Sequence, residues 1–171
     1  KIVYSAATSR AFVLLADGDV FYATIVTAPQ LLIGDNHIID GTLTPDIEVD
    51  GDRVFMPRSL GTQSSTDSDV FIYVRGVDGS PALLGQFQPL LRNFIIDRVA
   101  KVGNTLWLGM HQSTTYVVEG WDVSNPAAPS PRGSIGGFAD LSGETLITGM
   151  QAIGTKLLIS FHNQNIGPGS G

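Results

Sequence analysis

The sequence predicts an all-β protein assembled from repeated four-stranded antiparallel units, and three observations predict it. No window sustains helical periodicity, whereas apolar runs of five to eight residues recur between Gly, Asp, Asn and Pro. Thirteen of the sixteen acids are Asp, which bonds its own backbone in turns, and only three are Glu, which favours helices. Turn and strand markers return with a period near 50 residues.

In chain order, the strand candidates are "RAFVLLADG", "DVFYATIVT", "DRVFMP", "DVFIYVRG", "NTLWLGM", "TYVVEGWDV" and "TKLLISF". A glycine precedes the equivalent strand in "VDGDRVFM", "KVGNTLWLG" and "AIGTKLLIS", which align without gaps. These glycines, Gly51, Gly103 and Gly154, are 52 and 51 residues apart. A proline opens a later strand at Pro29, Pro81 and Pro131, spaced 52 and 50 apart, and Asp19-Val20-Phe21 recurs 50 residues on as Asp69-Val70-Phe71. Each interval has room for four strands, which in the third are "NFIIDRVAKV", "NTLWLGMHQ", "TYVVEGWDV" and "RGSIGGFA".

Four strands per repeat of this length describe the blade of a β-propeller. The predicted blades span 1–40, 41–90 and 91–141, with a partial fourth over 142–162 and a flexible tail over 163–171. That is about three and a half blades, fewer than the four a closed ring needs. The rest of the ring is therefore expected from further sequence of the same chain or from another subunit. The start at Lys1 without Met, and the stop in "IGPGSG", lead to the same expectation of a processed or excerpted chain.

The segment "VVEGWDVSNPAAPSPRGSI", Val117 to Ile135, resembles the blade motif of the LVIVP-repeat β-propellers. There a strand ends in Asp-Val-Ser-x-Pro, and a short Pro-rich turn leads into the next strand. The resemblance implies a propeller architecture and an exported or surface protein. The other units keep the spacing without the Ser-Asn-Pro signature. "DVSNPAAPSP" is accordingly read as the connection from third to fourth strand, a place that suits residues unable to donate to a ladder.

Composition narrows the function. With 171 residues, 43% hydrophobic and 15% charged, the chain can bury a substantial core. A net charge of −6, with three scattered lysines among ten basic residues, argues against nucleic acid as a partner, which needs clustered cations. No run reaches the ~18 apolar residues of a spanning helix, so no membrane insertion is expected. With no cysteine there is no disulfide framework and no thiol chemistry.

Several residues are candidates for ligand binding. His111 and His162 occupy matching positions 51 apart, each at the exit of a second strand. They are expected on the same end of neighbouring units with a shared aim, toward a ligand, toward a bound metal, or, as the favoured account, toward a hydrogen bond with the next loop. The matching positions hold Ala16 and Ser59, so the pattern does not complete a metal ring. His37 falls in a turn. Asp46, Glu48 and Asp97, with Arg98 beside them, lie on or near innermost strands, where they could line a central channel or supply the paired carboxylates of a glycosidase. Trp121 precedes a surface turn and is a further candidate. Asp17-Gly18-Asp19 and Asp50-Gly51-Asp52 lack the oxygen count and closing Glu of a calcium loop and read as hairpin turns. Thr62 to Asp69 reads as a polar loop that could collect a cation. No catalytic or metal-ligating residue is assigned, and no cofactor is implied; calcium and a His-bound metal stay as unsupported options. There is no nucleophile elbow, phosphate loop or dinucleotide fingerprint.

The expectation is a non-catalytic binding or scaffold module of an exported, cell-surface or virion-associated protein, with a protein or glycan partner. The alternatives are an enzyme, hydrolase or metal-dependent oxidoreductase, with its site at the propeller mouth, and a purely architectural subunit.

Overall fold

The computed structural model describes residues 1–6, 10–14, 20–26, 30–32, 45–60, 67–75, 81–113, 115–136 and 145–163. Ala16, His37, Pro29 and Asp17-Gly18-Asp19 lie outside them, and of the expected tail 163–171 Asn163 is the last residue of a strand while 164–171 also lie outside. Among the described residues there are fourteen strands and no helix. The first sheet is β1 (Ile2–Ser5), β2 (Arg10–Leu14), β3 (Val20–Val26) and β4 (Gln30–Leu32). The second is β5 (Glu48–Asp50), β6 (Arg53–Leu60), β7 (Asp67–Arg75) and β8 (Pro81–Phe87). The third is β9 (Ile95–Val102), β10 (Thr105–Gln112), β11 (Thr115–Asp122) and β12 (Ser130–Gly136). The fourth holds β13 (Thr145–Ile153) and β14 (Lys156–Asn163). Every sheet is an antiparallel meander in chain order.

The repeated glycines close the first hairpin of the second, third and fourth sheets. Asp50 pairs with Arg53, Val102 with Thr105 and Ile153 with Lys156, leaving two-residue loops Gly51-Asp52, Gly103-Asn104 and Gly154-Thr155. Gly51, Gly103 and Gly154 have φ of 63°, 58° and 60°. A positive φ at the first loop position alone is the type II′ pattern, whose twist matches that of the flanking strands. Open space surrounds the missing Cβ at Gly103. Gly103→Ala is therefore expected to cost only the backbone penalty, about 1 kcal/mol, read as a lower urea midpoint with unchanged slope. A loss above ~3 kcal/mol would show that the turn does more than permit φ.

Period-2 alternation decides which sheet each side chain faces. On β6, Val54 and Met56 turn to the first sheet and pack with Phe12 and Ile47, while Phe55 turns to the third. On β10, Leu106, Leu108 and Met110 pack against Phe55, Val70, Ile72 and Phe87 of the second sheet. The alternate residue Trp107 faces Ile147, Met150 and Leu157 of the fourth sheet. The four sheets thus stack face to face in series, with one apolar cluster in each of three interfaces. The first strands lie side by side in the same sequence, β1 against β5, β5 against β9 and β9 against β13.

Asp67, Ser68 and Asp69, placed by the sequence in a polar loop, belong to β7 instead. Ser68 is buried and its hydroxyl donates to the Phe94 carbonyl at 2.8 Å; residues 62–66 lie outside the described chain. The Pro-rich segment does connect β11 to β12. Its polar residues organise it locally. The Asp122 carboxylate accepts from the Ser124 amide at 2.9 Å, and Asn125 Oδ1 from the Ala127 amide at 3.2 Å. The Ser124 hydroxyl, its amide and then the Arg132 guanidinium hold the Asp122 carboxyl down at about 2. Val123 anchors the start of the turn: its side chain is buried in the second interface and its amide donates to the Asn104 carbonyl at 2.9 Å.

Candidate functional site

The first strands gather most of the charged candidates. Asp46, just before β5, is 4% exposed and holds three sheets together. Its Oδ1 accepts from Lys1 Nζ at 2.6 Å and from the Ile47 amide at 2.9 Å, and its Oδ2 accepts from the Val99 amide of β9 at 3.2 Å. Lys1 Nζ also donates to the Ile47 carbonyl at 2.8 Å. Asp46 is thus a buried structural joint rather than a channel-lining group.

Glu48 stands two residues further along, on β5. Burial, only partly offset by Lys1, pushes its carboxyl up to about 7. Folding therefore raises its affinity for a proton, and the sign follows. Its contribution to stability is full below the unfolded value of 4.5 and is lost as pH rises to about 7. Wild type is expected to lose roughly 3 kcal/mol through this group between pH 4.5 and 8. Glu48→Gln should remove that part of the slope and be the more stable protein at pH 8. Urea unfolding of both proteins across pH 5–8 measures it; parallel stability curves would refute it. Nearby, Asp50 meets Lys101 Nζ at 3.1 Å and Arg53 at 3.6 Å.

Asp97 owes its position to a β-bulge. On β9, Arg98 lies opposite Gly109 and Ile96 opposite Met110, so Asp97 is the extra residue. The bulge turns its carboxylate onto His111, with Oδ2 2.6 Å from Nδ1. Asp97 and His111 side chains are 20% and 21% exposed, and the imidazole stacks on Tyr116 at 5.7 Å between centroids. The partner expected for His111, the next loop, is replaced by the bulged first strand. A bulge is a backbone feature that strand alternation cannot foresee.

The same bulge recurs in the fourth sheet, where Thr148, 51 residues after Asp97, is skipped between Ile147 and Gly149. Arg98 ties the two bulges together: Nη1 donates to the Asp97 carbonyl at 2.7 Å and Nε to the Thr148 carbonyl at 3.0 Å. His162 occupies the penultimate position of β14, as His111 does of β10, and pairs with Leu146 across the hairpin. Trp121 is not at the surface. It is 5% exposed in the second apolar interface, its ring 4.3 Å from Phe87, and its Nε1 donates to Glu119.

The structure therefore brings Asp97, His111 and Arg98 together, places Asp46 and Glu48 on the neighbouring first strand, and sends Trp121 into the core. An ionised carboxylate only accepts, so the contact selects the proton-bearing Nδ1, and in the neutral imidazole the lone pair then lies on Nε2. That leaves Nε2 as a hydrogen-bond acceptor, a base or a metal ligand. Among the described residues no three His, Asp or Glu side chains group as a metal site.

Two residues of consequence carry no obvious mark in the sequence. Glu119 is fully buried, and its carboxylate accepts from the Leu90 amide at 2.9 Å, the Leu91 amide at 3.3 Å and the Trp121 indole. Its one faint signal is a single charge inside the apolar run "YVVEGW". Gly85 of β8 lies beneath the Pro126 carbonyl of the β11–β12 turn, which a Cβ would overlap. Comparisons with protein-family models, curated proteins and solved structures found no match.

Proposed function

We propose that this chain is part of a β-propeller and acts as a non-catalytic binding or scaffold module. The observation that carries this reading is the serial stacking of four-stranded meanders with their first strands side by side. That is the arrangement of successive blades around an axis. On this reading Asp97 and Arg98 of the first strand β9, with His111 of the second strand β10, face the mouth where a protein or glycan partner binds. The LVIVP-like motif and the Asp-rich, cysteine-free composition support an exported, surface-displayed or virion-associated setting. Further blades, from the same longer chain or another subunit, complete the ring.

One geometric feature favours an enzyme as the second reading. A carboxylate on Nδ1 of a part-exposed histidine is how a general base is held in one tautomer. A glycan and peptide array probed with the wild type and with His111→Gln separates the two. A ligand bound by the wild type and weakened at least tenfold in the variant supports the binding module. Turnover of a glycoside or ester by the wild type, abolished in the variant, supports the enzyme.

A further inference from the structure

The third and fourth sheets carry the same bulge, but only the third furnishes it with charged groups. On β9 the bulged residue is Asp97, and the next residue, opposite Gly109, is Arg98. On β13 the same places, 51 residues on, hold Thr148 and Gly149, the latter opposite Ser160. Thr148 turns its hydroxyl to Ser160, with Oγ1 3.1 Å from Oγ. The bulge therefore forms without an acid or a guanidinium, and backbone geometry does not account for Asp97 and Arg98.

Three polar atoms of the cluster stay open. Arg98 spends Nε and Nη1 on the neutral carbonyls of Thr148 and Asp97, and its Nη2 keeps two N–H groups with no acceptor among the described residues. Asp97 gives Oδ2 to His111, and no described residue donates to its Oδ1. Nε2 of the neutral His111 imidazole is an acceptor. Among the described residues the one buried side-chain polar atom without a partner is Arg58 Nε, on another strand, so Nη2, Oδ1 and Nε2 all reach solvent. They stand on the side of the third sheet that faces the fourth. Arg98 reaches Thr148, and His111 stacks on Tyr116, which packs with Ile147. The seam is shut beside them, because a Cβ on Gly109 would meet Met150 Sδ at 2.6 Å and Ile147 Cδ1 at 3.2 Å. A ligand thus meets these atoms at the solvent end of the seam, not between the sheets.

We infer that this cluster takes two vicinal hydroxyls of an uncharged sugar, so that the partner of the binding module is a neutral glycan. The inference rests on the binding-module reading and decides between the two partner classes that reading leaves open. Charge supports it first. Asp97 and Arg98 cancel formally, so a carboxylate or phosphate on the ligand would face Asp97, and an ammonium would face Arg98. The donor pattern supports it next. A hydroxyl accepts and donates from one oxygen, so one hydroxyl accepts from Arg98 Nη2 and donates to Asp97 Oδ1, while its neighbour donates to His111 Nε2. A peptide backbone carries donor and acceptor on separate atoms and cannot supply both from one position. The contacts to Asp97 and Arg98 are charge-assisted and therefore among the stronger hydrogen bonds. Tyr116 and Trp121 are 3% and 5% exposed, so neither ring offers a stacking face and recognition falls on the hydroxyls.

The probes are methyl β-D-galactopyranoside, methyl α-D-mannopyranoside and methyl β-D-glucopyranoside, with methyl β-D-glucuronide as the charged counterpart of the last. Each is titrated into the full chain carrying isotope-labelled histidine. The Nε2 resonance of His111 is followed, assigned by its loss in His111→Gln. At least one neutral glycoside is expected to move this resonance to saturation. Its affinity should fall roughly tenfold or more in Asp97→Asn and in Arg98→Met, as the loss of one charge-assisted hydrogen bond requires. The glucuronide should bind more weakly than the best neutral glycoside. Amide shifts of Ile147 and Met150 show whether the seam stays closed; if Arg98→Met opens it, Asp97→Asn decides alone. No saturable shift with any neutral glycoside would overturn the inference, as would a shift whose affinity is unchanged in Asp97→Asn. Tighter binding of the glucuronide, or of an array peptide whose binding needs His111, would overturn it and leave the binding module in place. The module itself fails separately, if the wild type turns over a glycoside or ester.

Discussion

Glu119→Ala is expected to cost about 4 kcal/mol, the largest effect of any single substitution considered. The carboxylate is fully buried and accepts from Leu90 N, Leu91 N and Trp121 Nε1. Alanine leaves two amides and an indole without their acceptor and opens a void beside Phe87 and Trp121. A domain of this size has only about 5–15 kcal/mol in total, so the variant approaches the limit of folding. Glu119→Gln keeps one acceptor oxygen and a similar shape, and should lose roughly half as much. Urea unfolding followed by Trp fluorescence reads both. The site also joins the connection between the second and third sheets to β11, so exchange at Leu90 and Leu91 should accelerate first. A loss below ~1 kcal/mol in the alanine variant would mean that the three donors find water instead.

Gly85→Ala comes next, at about 3 kcal/mol. The added methyl would overlap the Pro126 carbonyl oxygen and press on the Pro126 carbonyl carbon at 3.0 Å. Both are backbone atoms of a turn already fixed by Asp122 and Asn125, so neither rotates away as a side chain would. The second and third sheets must separate locally, loosening Phe87 from Trp121. Gly136→Ala is the matched control: its Cβ would meet only Val117, at an ordinary 3.9 Å, and should change stability by less than ~0.5 kcal/mol. Equal effects at the two glycines would show that the Pro126 contact does not constrain the packing of the sheets.

These two effects share a cause with the other residues that strand patterning did not reveal. The meander itself was legible because its determinants are local. Gly51, Gly103 and Gly154 sit in two-residue turns that need a positive φ, and a turn is written in adjacent residues. The facing of Leu106, Leu108 and Met110 away from Trp107 was legible for the same reason, since alternation depends only on position along one strand. The Pro-rich segment after Asp122 could be placed between strands because proline has no amide to donate to a ladder, and of its three prolines only Pro131 enters a strand, the outer β12.

By itself, then, the sequence determined the all-β class, the order of strand and turn, and which side chains share a face. Tertiary structure alone decided what each face meets. Asp46 became a joint because Lys1 and the Val99 amide, 45 and 53 residues away, converge on it. Asp97 reached His111 because one extra residue bulges β9, and the register of two strands is a property of the pair. Trp121 went inward because Phe87 of the neighbouring sheet supplies an apolar surface that its own strand does not describe. Period and turn chemistry are set over a few bonds of one chain, whereas burial and charge pairing are set by segments that meet only after the sheets have stacked.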